Sequence, residues 1–145
     1  MQYIESDGGK TMFLNQLKDS EKELFLSLSA YAVASDGIFE LEEMETVARL
    51  CYEMMVPNHL PDTDIPLEEL LNTINAEATR AEKNIILFEI ILLISSDREN
   101  EQSDDQFIAN VAGKLGITAE KTEKFKSFAA RFNRFNDEIT SEISN

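Results

Sequence analysis

The sequence predicts an all-α bundle, and three observations predict it. No segment alternates apolar and polar residues with the period of two that a half-buried strand needs. Apolar residues recur instead at steps of three and four along most of the chain. One stretch, Asn84 to Asp97 (NIILFEIILLISSD), is apolar nearly all round, with Glu89 the one polar residue between Ile85 and Ile94. A helix that is apolar on every side is buried on every side. The run falls short of the roughly 20 apolar residues of a membrane span. It therefore reads as the central helix of a soluble bundle, and no membrane insertion is expected.

The same stretch has an echo 61 residues earlier, where Leu24 to Asp36 reads LFLSLSAYAVASD. Leu26 falls on Leu87, Ser35 on Ser96 and Asp36 on Asp97. Past the loop, Glu40 falls on Glu101, Glu43 on Asp104, Val47 on Ile108 and Val56 on Ile117. Each copy reads as an apolar helix, an acidic loop and an amphipathic helix. A repeat that cannot bury its own apolar face packs on its partner. The expectation is two pseudo-symmetric helix-loop-helix halves, about 24–56 and 85–117.

The elements follow in order. Residues 1–9 are polar with a Gly pair and are expected to be flexible. Residues 10–143 read as one domain of about seven helices. The first is short, Lys10 to Leu17, with Phe13, Leu14 and Leu17 on one face. Ser20-Glu21-Lys22-Glu23 has the capping-box pattern, Glu23 reaching back to the first free amide. The helix it opens runs to about Ser35, with Leu24, Phe25, Leu28, Tyr31 and Ala32 as its apolar stripe. The next spans about Leu41 to Met55, with Met44, Val47, Ala48, Cys51 and Met54 inward. Pro57, Pro61 and Pro66 mark a loop. Asp64 or Ile65 caps a short helix to about Asn75, with Pro66 in its first turn. The central helix starts near Ala78. Ser103 to Gln106 gives a further capping box for a helix that buries Phe107, Ile108, Val111 and Leu115 and closes at Gly116. Thr118 caps the last helix, about Ala119 to Phe135 and onward to Ile143.

Composition limits the function. A length of 145 residues suits a single domain. The net charge of −15 repels nucleic-acid backbones and favours cationic partners, protein or metal. Cys51 is the only cysteine, so no internal disulfide forms, and a reducing compartment is expected. The sequence MQYIESDGGK lacks the charged and apolar regions of a signal peptide, and a bacterial-type cytoplasmic location is the reading. His59 is the only histidine and reads as an exposed bystander, which leaves no Ser/His/Asp or Cys/His set. Cys51 reads as inert core. Glu89 is expected to reach the rim or pair with a basic residue, since an unpaired buried charge is costly. The last helix interleaves Lys121, Lys124, Lys126, Arg131 and Arg134 with Phe125, Phe128, Phe132 and Phe135, and reads as a core-facing aromatic stripe with a solvated basic side.

The two acidic loops carry the candidate chemistry: Asp36, Glu40 and Glu43 in the first copy, Asp97, Glu101 and Asp104 in the second. Acids at a helix start are stabilising by about 0.3–1 kcal/mol, which accounts for Glu43 and Asp104. Asp36 and Asp97 follow helix ends, where the dipole is negative. These acids read either as caps and loop braces or as a site for a divalent ion or a cationic partner. The calcium-loop pattern does not fit, because the sixth position from Asp97 is Gln102 and the twelfth is Ile108.

The stretches AVASDGIFELEEMETV and LLISSDRENEQSDDQFIANVAGKLGI resemble the tellurite-resistance TerB-like family, over about Leu24 to Phe135. They are also similar to the N-terminal domain of a membrane-anchored DnaJ-like co-chaperone. The resemblance implies an all-helical, non-enzymatic binding or scaffold domain of a bacterial stress response. It also implies a divalent-cation site, for Ca²⁺ or Mg²⁺, at Asp36, Glu43, Asp97 and Asp104, with Glu40 and Glu101 as secondary acids. Arg98 stands where the family has Gly. The alternative is a metal-free protein-interaction domain that uses the acidic surface. A metal-assisted hydrolase is a second alternative, since clustered carboxylates holding Mg²⁺ can support such chemistry, but no general base or substrate clamp stands out.

Overall fold

Six α-helices and one 3-10 turn make up the computed structural model, which describes residues 13–33, 40–95 and 101–145, and of residues 101–103 the backbone alone. The turn is Leu14–Gln16. The helices are α1 (Asp19–Val33), α2 (Leu41–Met54), α3 (Leu67–Glu77), α4 (Arg80–Ser95), α5 (Glu101–Lys114) and α6 (Ala119–Ser144). No strand occurs among the described residues. Against the seven helices expected, the described residues hold six α-helices and a turn. Of the helix expected from Lys10 to Leu17, residues 10–12 lie outside the described residues, and over the rest a turn closes with the Leu17 N–H on the Leu14 carbonyl at 3.2 Å. The turn still buries Leu14 and Leu17 as their spacing required.

α4 lies at the centre. Ile86, Leu87, Glu89, Ile90, Ile91, Leu92 and Ile94 are all buried, so the helix is enclosed around its whole circumference. α1, α5, α6 and the Leu14 turn pack against it. Glu89 reaches neither the rim nor a basic side chain among its described hydrogen bonds. It is buried, and its Oε2 accepts the Phe13 N–H at 2.8 Å. The Phe13 ring meets Phe88 edge-on at 6.3 Å, and Phe88 meets Phe125 at 5.7 Å. α1 is buried without a break from Phe25 to Ala30, broader than the stripe its spacing suggested. A serine in that run stays compatible with burial by bonding locally. Ser29 Oγ donates to the Leu26 carbonyl at 2.6 Å. α3 closes the bundle over α1 and α5 with Leu70, Leu71 and Ile74.

α1 and α4 begin side by side. The Lys18 N–H donates to Glu21 Oε1 at 3.1 Å, and the Thr79 N–H donates to Glu82 Oε1 at 2.8 Å while Thr79 Oγ1 accepts the Glu82 N–H. Lys18 Nζ then joins the two starts, 3.0 Å from Glu21 and 2.9 Å from Glu82. The Thr79 amide first, and then the Lys18 ammonium, hold the Glu82 carboxyl down at about 2. The box expected at Ser20 to Glu23 is therefore shifted two residues upstream. Ser20 Oγ bonds Glu77 instead, and Glu23 turns to His59. Likewise α4 starts at Arg80, since Ala78 still terminates α3. Pro66 is the N-cap of α3 rather than a first-turn residue, and α5 begins at Glu101, ahead of the predicted box at Ser103.

α2 and α5 end alike. Met55 takes φ 63° and the Val56 N–H reaches the Cys51 carbonyl at 3.0 Å; Gly116 takes φ 72° and the Ile117 N–H reaches the Ala112 carbonyl at 2.9 Å. Both are left-handed caps, for which glycine is the usual residue. Thr118 caps α6 as expected, accepting the Lys121 N–H at 3.1 Å. Leu87 has no exposed surface. Leu87→Ala is expected to lower the unfolding free energy by about 2–5 kcal/mol, read as a shifted urea midpoint at constant slope. A loss below about 0.5 kcal/mol, the scale of a surface substitution, would contradict the enclosure of α4.

Candidate functional site

The acids singled out by the sequence divide into three groups. Asp36 and Asp97 lie outside the described residues, as does the side chain of Glu101. Glu40 and Glu43 sit at the start of α2, where Glu43 Oε1 accepts the Glu40 N–H at 2.7 Å. Glu43 is thus bonded as a helix-capping acid. Asp104 is half-buried in the first turn of α5 and is held by a neighbour. α2 packs chiefly on α1 and the Leu14 turn, whereas α5 packs on α3, α4 and α6. Among the described residues no three His, Cys, Asp or Glu side chains group closely enough to hold a metal ion.

What the structure brings together around α2 is different. Val47, Leu50, Cys51 and Met54 form its buried stripe. Met44, expected inward, is exposed instead, because the inward face at the helix start is occupied by the half-buried Glu43. A second stripe then emerges beside the first: Leu41, Met44, Ala48, Tyr52 and Met55, at steps of three, four, four and three. Leu41 is 70% exposed, Tyr52 77% and Met55 79%. Glu42 and Glu45, exposed, follow the outer edge of this stripe, with Arg49 and Glu53 half-buried beside them and Glu53 held by a neighbour; Leu60, in the loop that follows, is exposed as well. An exposed apolar row with a polar rim marks an interaction surface. Tyr and Met are among the residues enriched in such surfaces.

Met55 is the strained member. A non-glycine residue in the left-handed region costs about 1–2 kcal/mol, and the cap of α5 shows that this geometry accepts Gly. The cap bonds, Met55 N–H to the Tyr52 carbonyl and Val56 N–H to the Cys51 carbonyl, both at 3.0 Å, offset that cost. The sequence offered no sign of it, since Met55 reads there as the last residue of an ordinary helix.

The neighbouring loop is fixed by His59, which is no bystander. Its Nε2 lies 2.8 Å from Glu23 Oε1 and its Nδ1 lies 2.6 Å from the Pro57 carbonyl. Both partners are acceptors, so the ring satisfies both only as the imidazolium. Glu23 first, then the Pro57 carbonyl, push the His59 pKa above its usual value. Cys51 Sγ meets the His59 carbonyl at 3.6 Å, and Cys51 is buried as predicted. Tyr31 Oη donates to the Ile65 carbonyl and pins the far end of the same loop.

Compared with protein-family models, with curated proteins and with solved structures, the chain matches none. No helix among the described residues is long and apolar enough to cross a membrane.

A group whose pKa is raised by folding contributes stability that is complete below its unfolded value, near 6.5, and is lost as pH climbs through the folded value. The destabilisation caused by Glu23→Gln is therefore expected to be largest at about pH 5–6 and to shrink above the folded His59 pKa. Thermal melts of both proteins across that range check it. A difference that grows toward alkaline pH would contradict the charged pair.

Proposed function

We propose that this chain is a non-enzymatic binding or scaffold domain, and that the exposed stripe of α2 is its docking face for a cationic amphipathic helix. The observation that carries the reading is the pairing of Leu41, Met44, Tyr52 and Met55 with a glutamate edge on one helix. The apolar row supplies burial on binding. The carboxylates steer a basic partner and oppose an acidic one. A net charge of −15 acts in the same sense at longer range. This is the metal-free alternative among the functions that the sequence left open, and the TerB-like resemblance stays compatible with it.

The two-copy architecture belongs to the same proposal. The starts of α1 and α4 are 61 residues apart, and so are their capping glutamates, Glu21 and Glu82. The left-handed caps Met55 and Gly116 are separated by the same 61 residues. Three positions in register support two copies of one helix-loop-helix unit.

The copies also support a second reading, the divalent-cation site at Asp36, Glu43, Asp97 and Asp104. α1 and α4 start together and pack along each other with 15 and 16 residues. Asp36 follows Val33 by three residues and Asp97 follows Ser95 by two. Hard oxygen ligands suit Ca²⁺ or Mg²⁺. That site would adjoin the docking face through Glu43 and serve a stress-response role of the TerB kind.

Titration with a Lys-rich amphipathic helical peptide tests the docking face. Tyr52→Ala is expected to weaken binding by about tenfold or more, as loss of an aromatic anchor does. Met55→Gly is expected to raise the melting temperature yet weaken binding. Unchanged affinity in both variants would overturn the reading. Melting in CaCl₂ against NaCl of equal ionic strength tests the cation site, which predicts a larger rise in CaCl₂ that Asp36→Asn with Asp97→Asn removes. Equal rises would leave the protein-docking face alone.

A further inference from the structure

The last helix carries a feature that its packing on the body does not use. α6 is anchored by Thr122 and Ala129, which are buried, and by Phe125 and Phe132, which pack against the core. Asn133 Nδ2 donates to Ser95 Oγ at 3.0 Å, and Asn136, half-buried, is also held by a neighbour. The helix nevertheless continues for eleven residues beyond Asn133, to Ser144. Those residues are Arg134 to Ser144 (RFNDEITSEIS), most of them middling or poor helix formers. No basic side chain complements the negative end of the dipole, and Glu142 opposes it. An isolated helix of this length is marginal in water and is held by packing of an amphipathic face.

The face is there. Phe128, Phe132, Phe135, Ile139 and Ile143 step by four, three, four and four, with Phe132, half-buried against the core, at the inner border of the row. Phe135 is 62% exposed and Ile143 79%, with Phe128 and Ile139 also exposed. This is the spacing of a helix-pairing seam. The outer edge of the seam carries, in order, Lys124, Arg131, Glu138 and Glu142, all exposed. Arg131 now lies over the Phe128 ring at 5.2 Å. The sign of the whole helix changes at the same place. Its cations, Lys121, Lys124, Lys126, Arg131 and Arg134, all precede residue 135, and Asp137, Glu138 and Glu142 all follow it.

We infer that α6 pairs with α6 of a second copy of this chain in antiparallel register. Aligned about the point between Asn133 and Arg134, Phe128 meets Ile139 of the second copy and Phe132 meets its Phe135, and each contact occurs twice by symmetry. The edge charges then read plus, plus, minus, minus against minus, minus, plus, plus. Arg131 faces Glu138 of the second copy, and Lys124 faces its Glu142. A parallel pair would set the basic halves against each other and the acidic halves likewise. The seam and the edge thus select a second copy over a foreign helix, and the antiparallel over the parallel arrangement. This surface is separate from the α2 face, and the test below does not involve α2.

Sedimentation of the full chain over a concentration series, with two charge reversals, tests the pairing. Wild-type protein is expected to dimerise. Arg131→Glu places glutamates against Glu138 of the second copy, and Glu138→Arg places arginines against Arg131, so each variant alone is expected to be monomeric. An equal mixture of the two variants restores both pairs in a heterodimer, and the dimer is expected to return. That return also shows that both variants fold. Ile139→Glu is expected to abolish association in every combination. A wild-type monomer at every concentration overturns the inference, including one that binds anionic vesicles through α6 instead. A dimer indifferent to both reversals, or a mixture that stays monomeric, overturns it as well.

Discussion

Everything in this fold answers to one constraint: α4 has no side that water can occupy. Its residues from Ile86 to Ile94 are apolar with a single exception, and every direction around it therefore needs a covering element. α1, α5 and α6 supply three, and the Leu14 turn supplies another. The exception, Glu89, is what fixes that turn. A carboxylate buried in an apolar helix is costly unless donors meet it, and the Phe13 amide is one such donor. The one polar residue between Ile86 and Ile94 thus holds in place the segment that completes the enclosure. Lys18, next along the chain, ties the starts of α1 and α4 together through Glu21 and Glu82.

That enclosure also explains what is left exposed. With the core closed over α4 by α1, α5, α6 and the turn, α2 buries only one face, and residues 137–145 at the end of α6 stay exposed. The two unpartnered apolar rows, on α2 and along the last third of α6, lie where the demands of the core have already been met. Their edges differ in charge pattern. The α2 edge is acidic with a single arginine, which suits a basic partner, whereas the α6 edge is self-complementary.

The helices themselves were legible in the sequence because burial leaves a periodic trace. The apolar circumference of α4, the inward Leu70, Leu71 and Ile74, and the caps Thr118 and Gly116 were all read from spacing and residue type. Cap positions shifted where two acids competed: Glu21 outranked Glu23 because only Glu21 also meets Lys18. The aromatic stripe of α6 misled for a geometric reason. Steps of three, four and three place Phe125 and Phe132 in one column and Phe128 and Phe135 in another, about 60° apart at 100° per residue. Only the first column faces the core. One partner of Glu89 is a backbone amide 76 residues away, and backbone donors have no sequence signature. The exposed row of α2 was hidden for a similar reason: Met44 and Tyr52 are ordinary helix residues until the packing of α2 turns them outward.

The central claim is that α4 is the last element of the fold to open. Native-state hydrogen exchange measures this directly, because amides in the most protected unit exchange only through global unfolding. The account predicts that the amides of Ile86 to Ile94 exchange at the free energy of global unfolding, while those of α2 and of residues 136–144 exchange through smaller openings. Exchange of the α4 amides at a lower free energy than those of α2 would contradict it.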